Sequence, residues 1–331
     1  MREGAERFLL LPAMVQRASL LLAGVLLAGA LEAQDAAGLR ARHAALQDRL
    51  AASAFGRPLH VESASEAGAH KGEVYALIER PYRELAAALS RPAHWCEILL
   101  LQVNIKRCEA AGPTLTAFIT RKPREPPEDA YRVEFRYDAA ASADHLRVAL
   151  TADSGPVGTR DYEIRLEAAP LDAARTFLRM SYAYRLGFVA RIGMDAYLAG
   201  SGRDKVGFSV VDRAPDGRPM YVDGVRGVIE RSAMRYYLAI EAFLDSPQDM
   251  ETRLRRWYAA IGHHPQLREE VGRNEYLAMK RAQAGRVTSP RSRRRSRAAS
   301  APSPCASRAT RGHAPRSPRR ARPSARPRSS G

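Results

Sequence analysis

The segment YRVEFRYD at residues 131–138 decides the fold of this 331-residue chain, because its bulky and charged residues alternate strictly. Successive side chains of a β-strand point to opposite faces, so Tyr131, Val133, Phe135 and Tyr137 share one face and the charges share the other. The same period of two recurs further along the chain, in Leu146, Val148 and Leu150, in Tyr162, Ile164 and Leu166, and in Leu178, Met180, Tyr182 and Tyr184. We therefore predict an antiparallel sheet with one face on a core and the other in water.

Helices are predicted before and after these strands in the chain, which makes the fold class α+β. Pro81 stands where helices favour proline, in a first turn, and Arg91-Pro92 ends the helix that follows it. Further strands are predicted at Leu99 to Ile105 and at Leu115 to Ile119. A long closing helix is indicated by apolar residues that recur at helical spacing, namely Val225, Ile229, Tyr236, Tyr237, Ile240 and Phe243.

The N-terminus has the pattern of a secretory signal peptide. Arginines precede an apolar run from Leu20 to Leu31, which is shorter than the roughly 20 residues that a membrane-spanning helix needs and ends in small residues. We expect residues 1–33 to be removed, which makes the mature protein periplasmic or secreted with no membrane span; an uncleaved membrane anchor is the alternative. Two cleavage points and two translation starts fit the pattern, after Ala33 or Ala30 and from Met1 or Met14.

The net charge of +17 is concentrated at the C-terminus. Residues 281–331 contain 15 of the 53 basic residues and no acidic or aromatic residue, so residues 1–280 carry 38 basic against 36 acidic side chains. A segment of Arg, Pro, Ser and Ala cannot bury enough apolar surface to offset its ordering entropy, and we predict that it is disordered. It is either a polybasic arm or an out-of-frame product of GC-rich DNA. Without aromatic residues for base stacking, it predicts no specific nucleic-acid site.

The cysteines predict one disulfide. Cys96 and Cys108 are the only cysteines before the basic tail, and export would place them in an oxidising compartment. The bridge would tie the end of the first helix of the domain to the next strand, and Cys305 would remain free. Two buried thiols are the alternative.

Two pairs of segments resemble known families. GEVYALIERPY at residues 72–82 and LSRPAHW at residues 89–95 are similar to the opening strand, helix and tryptophan turn of the START-like or SRPBCC superfamily. GTRDY at residues 158–162 and RYYLAIE at residues 235–241 look like a family of exported proteobacterial proteins of uncharacterised function. The resemblance covers residues 55–280, after an N-terminal helix and linker at residues 34–54. The chain departs from it by an insertion from Met194 to Tyr221.

The resemblance implies a helix-grip fold, in which a curved antiparallel sheet grips the long C-terminal helix around an apolar tunnel. A buried phenol needs a hydrogen-bond partner, so tyrosines in such a tunnel would offer polar contacts to a ligand. Arg160 follows the alternation onto the face of Tyr162 and would hold a ligand carboxylate at the mouth. The implied tunnel walls are Tyr131, Val133, Phe135, Tyr162, Ile164, Tyr182, Tyr184, Tyr236 and Ile240. The alternatives are that the tyrosines pack as plain core and that Arg160 pairs with a neighbouring acid.

Two functions are compatible with these features. The first is an exported binding or transfer protein for a lipid or another apolar small molecule. The second is a START-like enzyme, a cyclase or hydrolase that acts on an aromatic or acyl substrate with Arg160, Tyr162 and Tyr184 as polar contacts. The histidines have no metal-ligand spacing, and the chain contains no phosphate loop or nucleophile elbow. We therefore expect no metal and no cofactor, and we favour binding over catalysis.

Overall fold

The computed structural model describes residues 36–268 and 271–288. Both the predicted signal peptide at residues 1–33 and most of the predicted disordered tail lie outside these residues. None of the described helices is long and apolar enough to cross a membrane. The elements in chain order are α1 (36–51), β1 (Leu59–Glu66), β2 (Ala69–Ile78), α2 (Tyr82–Leu89), α3 (Pro92–Leu99), β3 (Ile105–Ala111), β4 (Thr114–Ile119), β5 (Tyr131–Ala141), β6 (Leu146–Ser154), β7 (Thr159–Pro170), β8 (Thr176–Leu186), α4 (Phe188–Ala199), β9 (Val210–Arg213), β10 (Pro219–Tyr221), α5 (Gly224–Asp245), α6 (Met250–Gly262) and α7 (Arg273–Thr288).

Eight antiparallel strands form one sheet in the order β1-β2-β8-β7-β6-β5-β4-β3. Strands β3 to β8 follow one another as neighbours, while β2 comes early in the chain and pairs with β8, the last strand of the run. The inner face carries the alternating apolar residues: Val133, Phe135, Leu150 and Ile164 are all buried. The predicted α+β fold with a large antiparallel sheet is confirmed.

The long helix α5 lies across the inner face of this sheet and packs on β1, β2 and β8. It approaches the sheet closely at Gly72 on β2, where a Cβ atom would lie 2.7 Å from the carbonyl oxygen of Ile229. Glycine is required there because any side chain would push the helix off the sheet. The sheet order and this helix match the predicted helix-grip arrangement of an antiparallel sheet with a long C-terminal helix across it.

The outer face of the sheet is not wholly in water, contrary to the prediction. Helix α1 packs Leu39, Leu46 and Leu50 against Tyr75 and Phe177, which point outward from β2 and β8. The apolar residues of α1 recur at helical spacing, so a second, smaller core forms on this side. Alternation within the strands could not reveal this cover, because a helix outside the strands provides it.

The segment after Pro92 is a helix, and the strand predicted to begin at Leu99 begins at Ile105 instead. Pro92 starts α3 in the position that proline favours, and Trp95 and Leu99 bury its apolar side. The predicted disulfide is confirmed: Cys96 on α3 is bonded to Cys108 on β3, with their Cα atoms 5.2 Å apart.

The insertion between β8 and α5 forms α4 and the small β9–β10 hairpin. The fully buried carboxylate of Glu230 on α5 anchors the segment before this hairpin. It accepts hydrogen bonds from the backbone N–H groups of Phe208 and Ser209, at 2.7 and 2.9 Å, and from the hydroxyl of Ser63 on β1 at 2.7 Å. One acidic side chain therefore holds three separate segments together.

Helix α7 continues to Thr288, through the boundary that the sequence placed between residues 280 and 281. Lys280 is buried, and its ammonium group donates hydrogen bonds to the carbonyls of Gln102 and Ile105 at 2.5 and 2.8 Å. Arg281 forms an ion pair with Glu251 on α6. The start of the predicted tail is therefore part of the folded domain.

Candidate functional site: a tyrosine cluster between sheet and helix

Four tyrosines meet between the sheet and α5, and we call them the tyrosine cluster: Tyr162 on β7, Tyr182 and Tyr184 on β8, and Tyr236 on α5. The ring of Tyr182 lies 5.1 Å from that of Tyr236, 5.7 Å from that of Tyr184 and 6.0 Å from that of Tyr162. The rings of Tyr162 and Tyr184 are stacked at 5.6 Å. These are normal separations for interacting aromatic rings.

Local backbone features place Tyr162 in this cluster. Between Arg160 and Glu163 the pairing of β7 with β8 shifts register, and Asp161 has a φ of +53°. Such a bulge inserts an extra residue and re-aims the neighbouring side chains. Gly155 leaves room for the ring, because a Cβ atom there would lie 2.2 Å from Cε2 of Tyr162.

The same bulge corrects the prediction for Arg160. Arg160 pairs with Arg185 and is exposed, whereas Tyr182 and Tyr184 point inward from the alternate positions of β8. Strict alternation would have put Arg160 beside Tyr162, but the extra residue puts it on the outer face. It is therefore not a contact of the tyrosine cluster.

Tyr131 is also misplaced by the sequence prediction. It is the first residue of β5 and pairs with Ile119 at the end of β4, and 38 % of its surface is exposed. This exposure shows that Tyr131 is not enclosed together with the other predicted wall residues. The remaining predicted wall residues Val133, Phe135, Ile164 and Ile240 do face the interior, and their exposed fractions are at most 3 %.

Two of the four hydroxyl groups in the cluster have hydrogen-bond partners in the described chain, and two have none there. Tyr182 is hydrogen-bonded to Tyr162. The Tyr162 and Thr159 hydroxyls are 2.9 Å apart, and Thr159 donates to the carbonyl of Pro156. Among the described residues we find no hydrogen-bond partner for the hydroxyls of Tyr184 and Tyr236. In the described chain, the fully enclosed side-chain atoms without a hydrogen-bond partner belong to His145, Arg253 and Gln283. The hydroxyl oxygens of Tyr184 and Tyr236 are not among them, so both are open to solvent.

All four phenols are neutral at ordinary pH. Burial, reinforced by the neighbouring phenols, raises the pKa of Tyr182 and Tyr184 far above the usual value, and it raises the pKa of Tyr236 in the same way. Burial also raises the pKa of Tyr162, although its hydrogen bonds act in the opposite direction. A neutral phenol is a hydrogen-bond donor and a poor base.

Two further polar residues border the cluster and were missed by the sequence analysis. The ring of His70 on β2 lies 5.9 Å from that of Tyr184, its Nδ1 is 2.9 Å from the hydroxyl oxygen of Ser65, and burial followed by the charge of Arg191 lowers its pKa. Arg231 on α5 is buried and donates to the carbonyl of Lys205 at 2.6 Å; burial lowers its pKa as well. His70 could have been found from the alternation of β2, which puts it on the face of Val74.

Two clefts open elsewhere on the surface of the described chain. One, of about 640 Å³, is lined by residues of the insertion, of α5 and of the α6–α7 connection, including Lys205, Arg235 and Gln266. The other, of about 320 Å³, lies between α3 and the start of α6. Neither is lined by a predicted wall residue, so the apolar tunnel stays a prediction. Within residues 36–268 and 271–288, no group of three or more His, Cys, Asp or Glu is placed to hold a metal ion.

Comparison with known proteins gives similarity at the level of solved structures. A conserved protein from Geobacillus kaustophilus has a TM-score of 0.29 at 14 % identity, over 40 % of this chain and 85 % of its own. A norcoclaurine synthase mutant from Thalictrum flavum, in complex with a transition-state analogue, has a TM-score of 0.30 at 11 % identity, over 41 % and 86 %. Human STARD10 has a TM-score of 0.30 at 9 % identity, over 44 % and 69 %.

No family model and no curated protein matches the chain. Scores this low carry no functional information, so the site must be interpreted from its own geometry.

Proposed function

We propose that this protein binds an apolar small molecule between the sheet and α5, in contact with the tyrosine cluster. The observation that carries the proposal is the pair of neutral phenols, Tyr184 and Tyr236, whose hydroxyls have no partner in the described chain. Only 6 % of Tyr184 is exposed, and a buried tyrosine hydroxyl normally has a hydrogen-bond partner. Because the Tyr184 and Tyr236 hydroxyls are open to solvent, water would supply that partner in the free protein and a bound molecule would replace the water.

We further propose that the protein works in the periplasm or outside the cell, as a binding or transfer protein for its ligand. Two features support this location. The N-terminal sequence has the pattern of a signal peptide. The Cys96–Cys108 disulfide is of the kind that persists in oxidising compartments.

Fluorescence of N-phenyl-1-naphthylamine, a neutral apolar dye, tests the binding site. We expect the wild-type protein to increase the dye fluorescence and Tyr182→Trp to weaken binding at least tenfold, because the larger ring occupies the space beside Tyr236. Tyr131→Trp is the matched control, since Tyr131 lies outside the interior, and it should bind as the wild type does. Equal binding by both variants, or no binding by the folded wild type, contradicts the proposal.

The second candidate function is an enzyme, a cyclase or hydrolase on an aromatic or acyl substrate. One observation favours it: His70, with its lowered pKa, lies beside Tyr184 and could accept a proton as a neutral imidazole. If the protein is an enzyme, His70→Gln will abolish turnover of the bound compound while dye affinity is unchanged. If it is a binding protein, no compound that displaces the dye will be converted.

A further inference from the structure

We infer that the cleft of about 640 Å³ beside the insertion is a second binding site, which takes a small organic anion with a compact apolar body. This inference goes beyond the proposed function, because none of the four tyrosines of the cluster lines the cleft. Three properties of the cleft support it: the way its walls are held, the charge of its lining and its size.

One wall of the cleft belongs to the insertion and includes Lys205 and Val206. A buried cation holds this wall in place: Arg231 on α5 is only 3 % exposed, and its Nη1 donates to the carbonyls of Lys205 and Val206 at 2.6 and 3.1 Å. The next amide, of Gly207, donates to the carbonyl of Val222 at 2.6 Å. The wall is therefore formed before any ligand arrives.

Arg235 on α5 also lines the cleft, and its backbone and side chain are both held. Its carbonyl oxygen accepts hydrogen bonds from Nε2 of Gln102 at 3.2 Å and from Nε1 of Trp257 at 3.3 Å. Its Nη2 donates to the carbonyl of the buried Leu267 at 3.4 Å. A side chain that is ordered in the free protein loses little rotational freedom when a ligand binds.

The lining of the cleft is predominantly cationic. Lys205, Arg235 and Arg268 all line it, and Asp204 is the one acidic residue among the described lining residues. A guanidinium group donates paired hydrogen bonds to a carboxylate or a phosphate, and an ammonium group adds a point charge. Charges of one sign in a cleft attract an oppositely charged ligand more strongly than they do on a flat surface. The lining therefore favours an oxyanion.

The size of the cleft indicates more than an inorganic ion. Small-molecule sites have volumes of about 300 to 1,000 Å³, and the cleft lies within this range. Val206, Tyr221 and Pro265 add apolar surface to the lining, and Tyr221 adds an aromatic ring. An anion with a compact ring or short hydrocarbon body would bury this surface as well as its charge.

Equilibrium dialysis of the full chain against three probes with the same ring tests the inference. The probes are 2-naphthoate, which has a carboxylate, 2-naphthyl phosphate, and the neutral 2-naphthalenemethanol. We expect both anions to bind about tenfold more tightly than the alcohol, because hydrogen bonds to a charged group are the stronger ones. High salt should reduce this advantage, since it screens partly exposed charges.

Variants assign the preference to the cleft. Arg268→Gln and Lys205→Gln should each weaken binding of the two anions severalfold and leave binding of 2-naphthalenemethanol unchanged. Arg268→Lys keeps the charge and should keep most of the affinity for the phosphate. Arg83→Gln is the matched control: Arg83 is an exposed residue of α2 that does not line the cleft, so its loss removes the same charge elsewhere. Melting curves confirm that each variant is folded.

Three results would overturn the inference. The alcohol could bind as tightly as the anions, or Arg83→Gln could weaken anion binding as much as Arg268→Gln does, which would make the effect one of overall charge. Folded Arg268→Gln and Lys205→Gln could both keep the wild-type affinities, which would assign the anions to the basic tail. None of these results changes the dye-binding test of the tyrosine cluster, and a failure of that test leaves the cleft as inferred.

Discussion

At the scale of the residue, Glu62 links α1 to the outer face of the sheet. Its carboxylate is hydrogen-bonded to His60, forms an ion pair with Arg42 on α1 and accepts a hydrogen bond from the hydroxyl of Tyr75 at 3.1 Å. These contacts, led by the bond to His60, lower the pKa of Glu62 to about 2 in spite of its partial burial. The charged form is therefore favoured in the folded protein.

The lowered pKa predicts a pH-dependent contribution to stability. An unfolded glutamate titrates near 4.3, so the stabilisation is complete above that pH and is lost as the pH falls towards about 2. We expect Glu62→Gln to lower the free energy of unfolding by about 1 kcal/mol at pH 7, a value that allows for solvent screening, and by only a small fraction of that amount near pH 2. Urea titrations at both pH values measure this. The exposed Glu66 gives the control variant Glu66→Gln, and an equal loss at the two pH values would refute the assignment.

At the scale of the element, the close packing of α5 on β2 depends on Gly72. We expect Gly72→Ala to destabilise the protein by about 2 to 3 kcal/mol, because the new methyl group would overlap the backbone of Ile229 and force the helix away from the sheet. Chemical denaturation measures this loss. Gly193→Ala is the control: no atom lies within 4 Å of its Cβ position on the exposed helix α4, and alanine should stabilise that helix by about 0.5 to 1 kcal/mol. If Gly72→Ala leaves the free energy of unfolding unchanged, α5 does not pack on β2 as described.

The disulfide joins two elements and gives a separate prediction. Cys96 and Cys108 are 12 residues apart, and a bridge that closes a loop of this size stabilises a protein by about 2 to 3 kcal/mol in the chain-entropy picture. The double variant Cys96→Ala/Cys108→Ala should unfold more easily by that amount. A thiol count on the denatured, unreduced wild type should find one reactive cysteine, Cys305. Three reactive thiols would reject the bridge.

At the scale of the whole molecule, the boundary between the folded domain and the basic tail lies beyond residue 281, where the sequence analysis placed the start of the tail. A chain that ends at Thr288 keeps the contacts of α7 and should unfold at the same temperature as the full chain. A chain that ends at Lys280 loses the ion pair of Arg281 and the buried Gln283, and we expect its free energy of unfolding to fall by about 1 to 2 kcal/mol.

The same two truncations test the charge of the tail. Residues 289–331 contain 13 arginines and no acidic residue. Both truncated chains should therefore elute from heparin at much lower salt than the full chain. If the chain that ends at Thr288 melts several degrees below the full chain, the tail contributes to the folded domain and its predicted disorder is wrong.

The sequence predicted those features that depend on local periodicity. The strands β5 to β8, the helix after Pro81 and the closing helix α5 were predicted because alternation and helical spacing are properties of a few consecutive residues. The errors have non-local causes. Arg160 changed face because of a bulge, Tyr131 is exposed at the start of β5, and α1 covers Phe177, which lies far along the chain. For the candidate site, periodicity selected the four tyrosines but not His70 or Arg231, which tertiary packing brings beside them.

The pairing of β2 with β8 also determines the order in which the molecule can assemble. Even the closest partners along this seam, Ile78 and Thr176, are separated by α2, α3 and the five strands β3 to β7. Closing so long a loop loses much chain entropy before any contact compensates for it, so high-contact-order pairings of this kind form slowly. The hairpins from β3 to β8 can form first. The part of the sheet that carries the tyrosine cluster is complete only when β2 pairs with β8. During refolding, the proposed binding site should therefore form last, after most of the β-structure is already present.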